Sequence, residues 1–350
     1  MKIQKAELAG KIDKLKSVVP KKTNMPALQG ILVRDSYLTA SNLEMTIRTK
    51  IAGAEGEMFL IPAKAFDLIG NLPDGEVEIS PGKKNTIMIK AEKIKNKYQT
   101  LEPETFPASG MSGDDDKETT IDSNLLLASM KRVSYAIPAQ ASSPTMSALC
   151  LRAEEGMLNF VGLDGHVLAW DRVDYEGDFE LLIPTNTVEK LLSIGLSGDV
   201  TVKHNKNGAA FITDDYEVYT RIVDGQYFGY EKMFHQMPIH TEVARAEFLE
   251  AMIRAKMCTE EKRPARFEIS GSEMNISIKD STTDYNETVL LKKELKEPLT
   301  IGFDARLVVE TLKAFECGNI KIQMASPKNP MIVEAEDSDF KAIVLPVAIN

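Results

Sequence analysis

The sequence lacks the features of a membrane or secreted protein. No apolar run approaches the roughly 18 to 20 residues of a membrane-spanning helix, and the start Met1-Lys-Ile-Gln-Lys-Ala has no apolar signal-peptide core. The three cysteines, Cys150, Cys258 and Cys317, are far apart in the chain. Their odd number and wide spacing favour reduced thiols over a disulfide framework. We therefore expect a cytoplasmic protein.

Metal and catalytic signatures are also missing. The sequence has no CxxC pair, no metal-ligand spacing among its histidines, and no GxxxxGK[ST], GxSxG or HExxH motif. We therefore expect no metal, no cofactor and no catalytic residue. Asp164-Gly-His166 is the segment that looks most like a catalytic one. Apolar residues on both sides favour a turn that joins two strands, and an enzyme that uses Asp164 and His166 remains an alternative.

Acidic residues outnumber basic ones. The chain of 350 residues has 42 lysines and arginines against 52 aspartates and glutamates, a net charge of −10. This balance argues against a protein that grips nucleic acid with its whole surface, but it permits a local basic face. No stretch interleaves aromatic and basic residues, so stacking of single-stranded nucleic acid is not expected.

A repeat of about one third of the chain is present. Two apolar residues, a short helical pattern, a turn and an alternating strand follow one another around Ile61, Ile183 and Ile301. Each copy opens with apolar residues at helical spacing. They are Leu8, Ile12, Leu15 and Val19 in the first copy, Leu126, Met130, Val133 and Ile137 in the second, and Phe248, Leu249, Met252, Ile253 and Met257 in the third. Alternating segments between the helices, at 158–161 and 274–278, predict antiparallel strands.

The repeat predicts an α+β protein of three similar domains, each with two helices packed on antiparallel sheets. We place the domains at residues 1–116, 117–239 and 240–350. The Gly/Ser/Asp-rich stretch 109–116 is typical of a linker, and a second break is expected near 237–240.

Basic residues recur on or beside the predicted helices of all three copies. They include Lys64 in the first copy, Lys131, Arg132 and Lys190 in the second, and Arg254, Lys256, Arg306 and Lys313 in the third. Two interpretations stay open. Lysines and arginines commonly occupy solvated helix faces, but helices that share one surface could also meet DNA phosphates.

Several segments, taken in order, resemble the bacterial DNA polymerase III beta subunit family, the sliding clamps. They are Asn42-Leu-Glu-Met45, Ile61-Pro-Ala-Lys64, Met130-Lys-Arg132, Leu163-Asp-Gly-His166, Ile222-Val-Asp-Gly225 with Tyr227 and Tyr230, Ile301-Gly-Phe303 and Val344-Leu-Pro-Val347. The resemblance covers nearly the whole chain. It implies a head-to-tail homodimer that forms a six-domain ring, with helices inside and sheets outside.

The resemblance implies the function of a processivity factor without chemistry of its own. The ring would encircle duplex DNA without reading its sequence and would tether the replicative DNA polymerase and the clamp loader. Positions at which family members touch DNA correspond to Lys22, Lys64 and Gln140, and we add Lys131, Arg132 and Lys190 as candidates. Thr185, Pro144 and Thr145 stand where the family has DNA-contacting residues of other types.

The resemblance also implies a hydrophobic pocket for short clamp-binding peptides. Its expected members are Met146, Leu163, Gly165, His166, Val167, Leu168, Leu307, Val344, Leu345, Pro346 and Val347. Val167 replaces a family arginine, and core packing is the alternative role of Leu163, Leu168 and Val344. The dimer interface would involve Met257 and Cys258. A monomeric, β-rich peptide-binding protein that never closes around DNA is a third hypothesis.

Overall fold

A strand pair followed by a helix and a further strand recurs three times along the chain. The anchors Ile61, Ile183 and Ile301 are fully buried, and each lies in an antiparallel strand pair. The partners are Ile31 for Ile61, Leu149 for Ile183 and Phe267 for Ile301. The predicted repeat and the α+β class are both confirmed.

The computed structural model describes residues 1–107, 117–258, 263–279 and 281–349. The chain divides into two units. The first unit comprises Met1–Leu127 and Glu189–Ile222, and the second comprises Ala128–Val188 and Val223–Asn350. The middle predicted domain, 117–239, contributes to both units. The linker predicted at 109–116 lies outside the described residues, and the domain boundaries stay a prediction.

The first unit is built mainly from strands. Its elements are β1 (Lys2–Gln4), α1 (Lys5–Leu15), β2 (Gly30–Arg34), β3 (Tyr37–Ser41), β4 (Met45–Lys50), β5 (Met58–Pro62), α2 (Phe66–Gly70), β6 (Glu76–Gly82), β7 (Thr86–Ala91), β8 (Ile94–Gln99), β9 (Lys117–Asp122), and β14 (Asp199–Asn205), β15 (Gly208–Ile212) and β16 (Tyr216–Arg221). One sheet has the order β1-β6-β7-β8, and the other β5-β2-β3-β4-β16-β15-β14-β9.

The second unit contains one ten-stranded sheet. Its elements are β10 (Ala148–Glu154), β11 (Met157–Leu163), β12 (Val167–Asp174), β13 (Phe179–Pro184), β17 (Ile239–Ala244), α5 (Arg245–Met257), β18 (Ala265–Lys279), β19 (Asp284–Phe303), α6 (Ala305–Ala314), β20 (Asn319–Met324), β21 (Met331–Ala335) and β22 (Lys341–Val344). The sheet order is β13-β10-β11-β12-β22-β21-β20-β17-β19-β18. Two helices cross the unit boundary, α3 (Ser123–Ser134) and α4 (Thr185–Ile194).

The helices form where the apolar spacing predicts them, although two helix ends differ from the prediction. In α1, Leu8, Ile12 and Leu15 are buried on one face. The helix ends at Leu15, and because the following turn redirects the chain, Val18 rather than Val19 is buried. In α5, Phe248 and Met252 are buried, but Met257 is 79% exposed at the helix end. The predicted apolar stripe of α5 therefore stops before its last member.

Candidate functional site

The Asp164-Gly-His segment is a tight turn between β11 and β12. The Oδ1 atom of Asp164 accepts hydrogen bonds from the backbone amides of His166 and Val167, both at 2.7 Å, and the Asp164 amide donates to the Val167 carbonyl oxygen at 3.1 Å. Gly165 has a φ of 88°, which a glycine adopts at little cost. The carboxylate orders the backbone of the turn, so the prediction of a turn is confirmed.

The C-terminal tail runs beside this turn. β22 pairs with β12 so that Val344 faces Val167, and the Leu345 amide donates to the His166 carbonyl oxygen at 2.8 Å. Farther along, the Val347 amide donates to the Gly302 carbonyl oxygen at 2.8 Å, just before α6 begins. A Cβ atom on Gly302 would lie 2.7 Å from the Val347 carbonyl oxygen, so only glycine permits this close approach. The structure thus brings together the turn, the tail and the start of α6.

The predicted pocket residues differ in how much of each can meet a partner. Val167 and Leu168 are 1% exposed and Val344 is fully buried. The side chains of these three residues therefore pack in the protein interior. Leu168 belongs to an apolar cluster with Trp170, Tyr227 and Tyr230. The accessible members are the exposed Gly165, His166 and Val347 and the half-buried Met146, Leu163, Leu307, Leu345 and Pro346.

The support beneath the turn was not predicted from the sequence. The Trp170 ring lies 5.0 Å from the Tyr230 ring in an edge-to-face arrangement, and its Nε1 donates to Asn159 Oδ1 at 2.9 Å. Lys341 Nζ stands 3.9 Å from the centre of the Trp170 ring. Burial and then the nearby Arg172 charge lower the pKa of Lys341. The one available signal was that Trp170 is the only tryptophan of the chain.

The predicted DNA-contacting residues fall into two groups. Lys22, Lys64, Lys131 and Gln140 are exposed. Lys190 is only 8% exposed and donates to Ser17 Oγ at 2.6 Å, and burial, then the charge of Lys14, lower its pKa.

Arg132 is engaged within the second unit. Its guanidinium lies 3.0 Å from the carboxylate of Asp171, whose side chain is 2% exposed, and 3.5 Å from that of Glu316. Releasing Arg132 would leave the buried Asp171 charge without its partner, which is costly. Arg132 and Lys190 are therefore placed less favourably for phosphate contact than the exposed group.

The residues predicted for the dimer interface lie at the end of α5. Met257 is 79% exposed, and Cys258 is half-buried. One turn earlier, Arg254 forms a two-pronged ion pair with Glu287 of β19, with a shortest N–O distance of 2.6 Å. The end of α5 therefore presents an exposed methionine beside a fixed ion pair.

Among the described residues, no group of three or more His, Cys, Asp or Glu side chains is arranged to hold a metal ion. In the same ranges, no helix combines the length and the apolar character that crossing a membrane requires.

Family models match both ends of the chain. Residues 1–110 match the N-terminal domain of the DNA polymerase III beta subunit, and residues 235–348 match its C-terminal domain. The beta sliding clamp of Vibrio cholerae is 20% identical over 370 residues, which covers 99% of each chain. That of Escherichia coli K12 is 23% identical over 328 residues, covering 89% of this chain and 88% of the relative.

Solved structures share the fold over the full length. A putative DNA polymerase III beta subunit from Eubacterium rectale superposes with a TM-score of 0.91 at 22% identity, covering 99% of this chain and 98% of that one. A Pseudomonas aeruginosa sliding clamp bound to griselimycin gives a TM-score of 0.92 at 20% identity, covering 100% and 99%. Because matches to the two terminal domains occur in their family order on a fold shared from end to end, this chain belongs to the DNA polymerase III beta subunit family.

Proposed function

We propose that two copies of this chain close head to tail into a six-domain ring around duplex DNA and act there as a sliding clamp. Membership in the beta subunit family gives the chain the role of a non-catalytic processivity subunit of DNA polymerase III. The observation that carries the proposal is the match to both terminal domains, in family order, on a full-length clamp fold. Such a protein would work in the cytoplasm, where bacterial chromosomes are copied.

The charge distribution supports topological rather than adhesive binding. The chain has a net charge of −10, yet Lys22, Lys64 and Lys131 are exposed. A closed ring needs only enough positive charge to accept the duplex, since dissociation would require opening the ring. Contacts to phosphate have no sequence specificity, which allows sliding.

Open sheet edges support the head-to-tail dimer. β8 ends the four-stranded sheet of the first unit, and β18 ends the ten-stranded sheet of the second, so within the described ranges each has one side without a strand partner. Such edges readily pair with another chain. We place the β8 edge of one copy against the β18 edge of the other, with Met257 and Cys258 nearby. A heterologous contact of this kind closes after two copies.

The three-domain division remains part of the proposal. The repeat supports boundaries at 1–116, 117–239 and 240–350, and the middle domain would supply β9 and β14–β16 to the first unit and β10–β13 to the second. Each of the two units therefore combines one terminal copy of the repeat with part of the middle copy.

The accessible part of the candidate pocket would hold partner peptides. His166, Val347 and the half-buried Met146, Leu163 and Leu345 surround the turn and the tail. Apolar side chains with a few fixed polar groups suit the Leu and Phe anchors of a short extended peptide. The replicative polymerase and the clamp loader are the proposed sources of these peptides.

Retention on circular DNA tests the topological part of the proposal. The chain is loaded onto nicked circular DNA with its clamp loader and ATP, and the bound fraction is measured by gel filtration. We expect retention on the circle and release when a restriction enzyme cuts it. Equal retention on cut and uncut DNA would reject encirclement.

The mass in solution tests the dimer and separates it from a monomeric peptide-binding protein. Light scattering should give about twice 38.8 kDa. Met257→Asp should shift the equilibrium toward monomer without unfolding, because the side chain is 79% exposed in the single chain. Phe228→Asp is the matched control, since Phe228 is 51% exposed and lies outside the proposed interface. A wild-type monomer, or an unchanged Met257→Asp dimer, would contradict the proposed interface.

A further inference from the structure

One lysine of the second unit binds aromatic rings where a carboxylate would be the ordinary partner. Lys341 Nζ lies 3.9 Å from the centre of the Trp170 ring and 4.7 Å from that of the Phe234 ring. Both distances are within the range over which an ammonium group is attracted to the face of an aromatic ring. Lys341 therefore connects a ring of β12 with a ring of the segment that follows β16.

The carboxylates that act on Lys341 are bound by other side chains. Those of Glu334 and Asp339 attract its ammonium group. However, Glu334 accepts a hydrogen bond from Gln323 at 2.8 Å, and Asp339 pairs with Arg172 at 2.9 Å. Lys341 forms no ion pair with any residue that the structure describes. The two ring faces therefore hold the ammonium group.

The first unit uses a different contact at the matching positions. Lys341 pairs with Trp170 across β22 and β12, and Glu217 pairs with Arg48 across β16 and β4. Each pair lies four residues along both strands from the backbone hydrogen bond between the turn and the adjoining segment. Arg48 and Glu217 form an ion pair at 2.8 Å, with side chains 38% and 34% exposed, and an ion pair this exposed contributes little. The second copy replaces it with a cation held by rings.

Those rings belong to the apolar surface beneath the proposed peptide pocket. Trp170 is part of the cluster that contains Leu168, and the half-buried Phe234, Leu163 and Leu345 pack against the same cluster. The Trp170 and Phe234 rings lie 5.4 Å apart at an interplanar angle of 56°. The ammonium group and two accessible members of the pocket thus contact one continuous set of side chains.

Lys341 is also the first residue of the strand that leads to the tail. β22 comprises Lys341–Val344, and the next residue, Leu345, donates its amide to the His166 carbonyl oxygen at 2.8 Å. A contact that fixes the start of so short a strand also limits the positions open to the residues after it.

We propose that Lys341 is a positioning residue for peptide binding, whose ammonium group holds the Trp170 and Phe234 rings and, through them, the apolar surface of Leu163 and Leu345. The inference rests on the proposed peptide pocket. A surface that is ordered in advance binds a peptide more tightly, because less side-chain freedom is lost on binding.

Fluorescence anisotropy tests this role. The probe is a capped, rhodamine-labelled peptide in which serines separate leucine and phenylalanine anchors, titrated with the full chain without DNA. Lys341→Met keeps an unbranched side chain but removes the charge, and it should weaken binding about threefold to tenfold. Lys341→Arg keeps the charge and the attraction to the rings, so its affinity should stay within about twofold of the wild type.

The pH dependence separates the charge of Lys341 from the packing of its side chain. Burial, then the charge of Arg172, lower the pKa of Lys341. A neutral amine loses the attraction to the ring faces. The affinity of the wild type should therefore fall as the pH rises through this pKa, which lies below the ordinary lysine value of about 10.4. Arginine stays protonated over this range, so Lys341→Arg should keep its affinity.

Lys296→Met is the matched control, because Lys296 is an exposed lysine of β19 in the same unit and lies outside the proposed pocket. It should leave the affinity unchanged. Thermal unfolding shows whether each variant is folded at the assay temperature. If Lys341→Met were not, the pH profiles of the wild type and Lys341→Arg would decide the question.

Three results would overturn the positioning role but keep the pocket. They are equal affinity of the wild type and Lys341→Met, parallel pH profiles of the wild type and Lys341→Arg, and equal losses from Lys341→Met and Lys296→Met. Absence of binding by the wild type would instead reject the pocket, and the role of Lys341 with it.

Discussion

Two turns in the molecule have the same hydrogen bonds but different side chains. In the first unit, Asn42 Oδ1 accepts from the amides of Glu44 at 3.0 Å and Met45 at 2.7 Å, and the Asn42 amide donates to the Met45 carbonyl oxygen at 3.1 Å. Asp164 makes the corresponding three bonds in the second unit, at 2.7, 2.7 and 3.1 Å. The repeat thus preserves the backbone of the turn.

In both copies, the chain segment beside the turn forms the same backbone hydrogen bond to it. The Arg221 amide donates to the Glu44 carbonyl oxygen at 2.8 Å, as the Leu345 amide does to that of His166. Counting from these bonds, Leu43 corresponds to Gly165, Thr46 to Leu168, and Ile222 to Pro346. The same scaffold therefore occurs twice, and the side chains decide which copy can form an apolar pocket.

The two copies should differ most in the stability contributed by the side chain beneath the turn. Leu168 is 1% exposed within an apolar cluster, whereas Thr46 is 3% exposed and donates its hydroxyl to Ser41 Oγ at 2.9 Å. Leu168→Ala should lower the free energy of unfolding by about 2–5 kcal/mol. Thr46→Ala should lower it by about 0.5–1.5 kcal/mol. Urea denaturation of both variants measures the difference, and equal losses would contradict the assignment of Leu168 to the core.

Replacing the side chains that accept the hydrogen bonds in the turns should have the next largest effect on stability. Asp164 presents a carboxylate to two amides, whereas Asn42 presents a neutral amide oxygen. Hydrogen bonds to charged groups are the stronger kind, so Asp164→Ala should cost about 1.5–3 kcal/mol and Asn42→Ala about 0.5–1.5 kcal/mol. Thermal unfolding of the two variants tests this order. A larger loss from Asn42→Ala would show that the two turns differ in more than their acceptor.

Substitutions at the left-handed residues should have opposite signs. Leu43 has a φ of 76° and Gly165 a φ of 88°, a region that disfavours side chains with a Cβ. Leu43→Gly should raise the free energy of unfolding slightly, and Gly165→Ala should lower it by about 1 kcal/mol. The nearest atom to a Cβ on Gly165 is Met146 Cε at 3.7 Å, so backbone strain rather than a clash causes the loss. Melting temperatures that move in the same direction would disprove this account.

A smaller effect distinguishes the two helices that lie wholly in the second unit. Asp304 caps α6 by accepting from the Arg306 amide at 2.8 Å, whereas α5 follows Ala244, which has no side-chain cap. Burial raises the pKa of Asp304, but the hydrogen bonds and charge of Arg306 outweigh it and hold the pKa below its ordinary value.

The sign of the pH effect follows from this lowered pKa. Stability from ionised Asp304 is fully present above its unfolded-state pKa of about 4 and is lost as the pH falls through the lower folded-state value. Stability curves of wild type and Asp304→Asn should therefore converge below about pH 4. If the difference in stability between the two proteins stayed constant across the acid range, the contribution of the cap would not depend on pH.

Much of the fold followed from local patterns. The helical spacing of Leu8, Ile12 and Leu15 and the recurrence of Ile61, Ile183 and Ile301 gave the α+β repeat, because each pattern needs only a helix or strand with one buried face. Helix ends were less predictable. Val19 fits the apolar period but lies beyond the end of α1, and Met257 fits it but is the exposed last residue of α5.

The candidate site was only partly predictable. The sequence placed Asp164 and the tail in one site through a family resemblance, yet it could not distinguish Leu168, which packs inward, from Leu163 and Leu345, which stay half-buried. Leu163 pairs with Leu168, and Leu163 and Leu345 pack against the apolar cluster that contains Leu168. The distinction therefore depends on how completely the tertiary packing covers each side chain, and not on the face of the sheet that it occupies. Likewise, no local signal revealed that Lys190 is buried or that Arg132 is bound to Asp171.

The claim that the second copy of the turn is the docking site is tested most directly by matched substitutions in the two tails. The measurement is the affinity for a short peptide with Leu and Phe anchors, taken from a clamp-binding region of the replicative polymerase. Pro346→Glu should weaken binding at least about tenfold, and Ile222→Glu at the corresponding position of the first copy should leave it unchanged. If the two variants bound the peptide with equal affinity, or if only Ile222→Glu weakened binding, the second copy of the turn would not be the docking site.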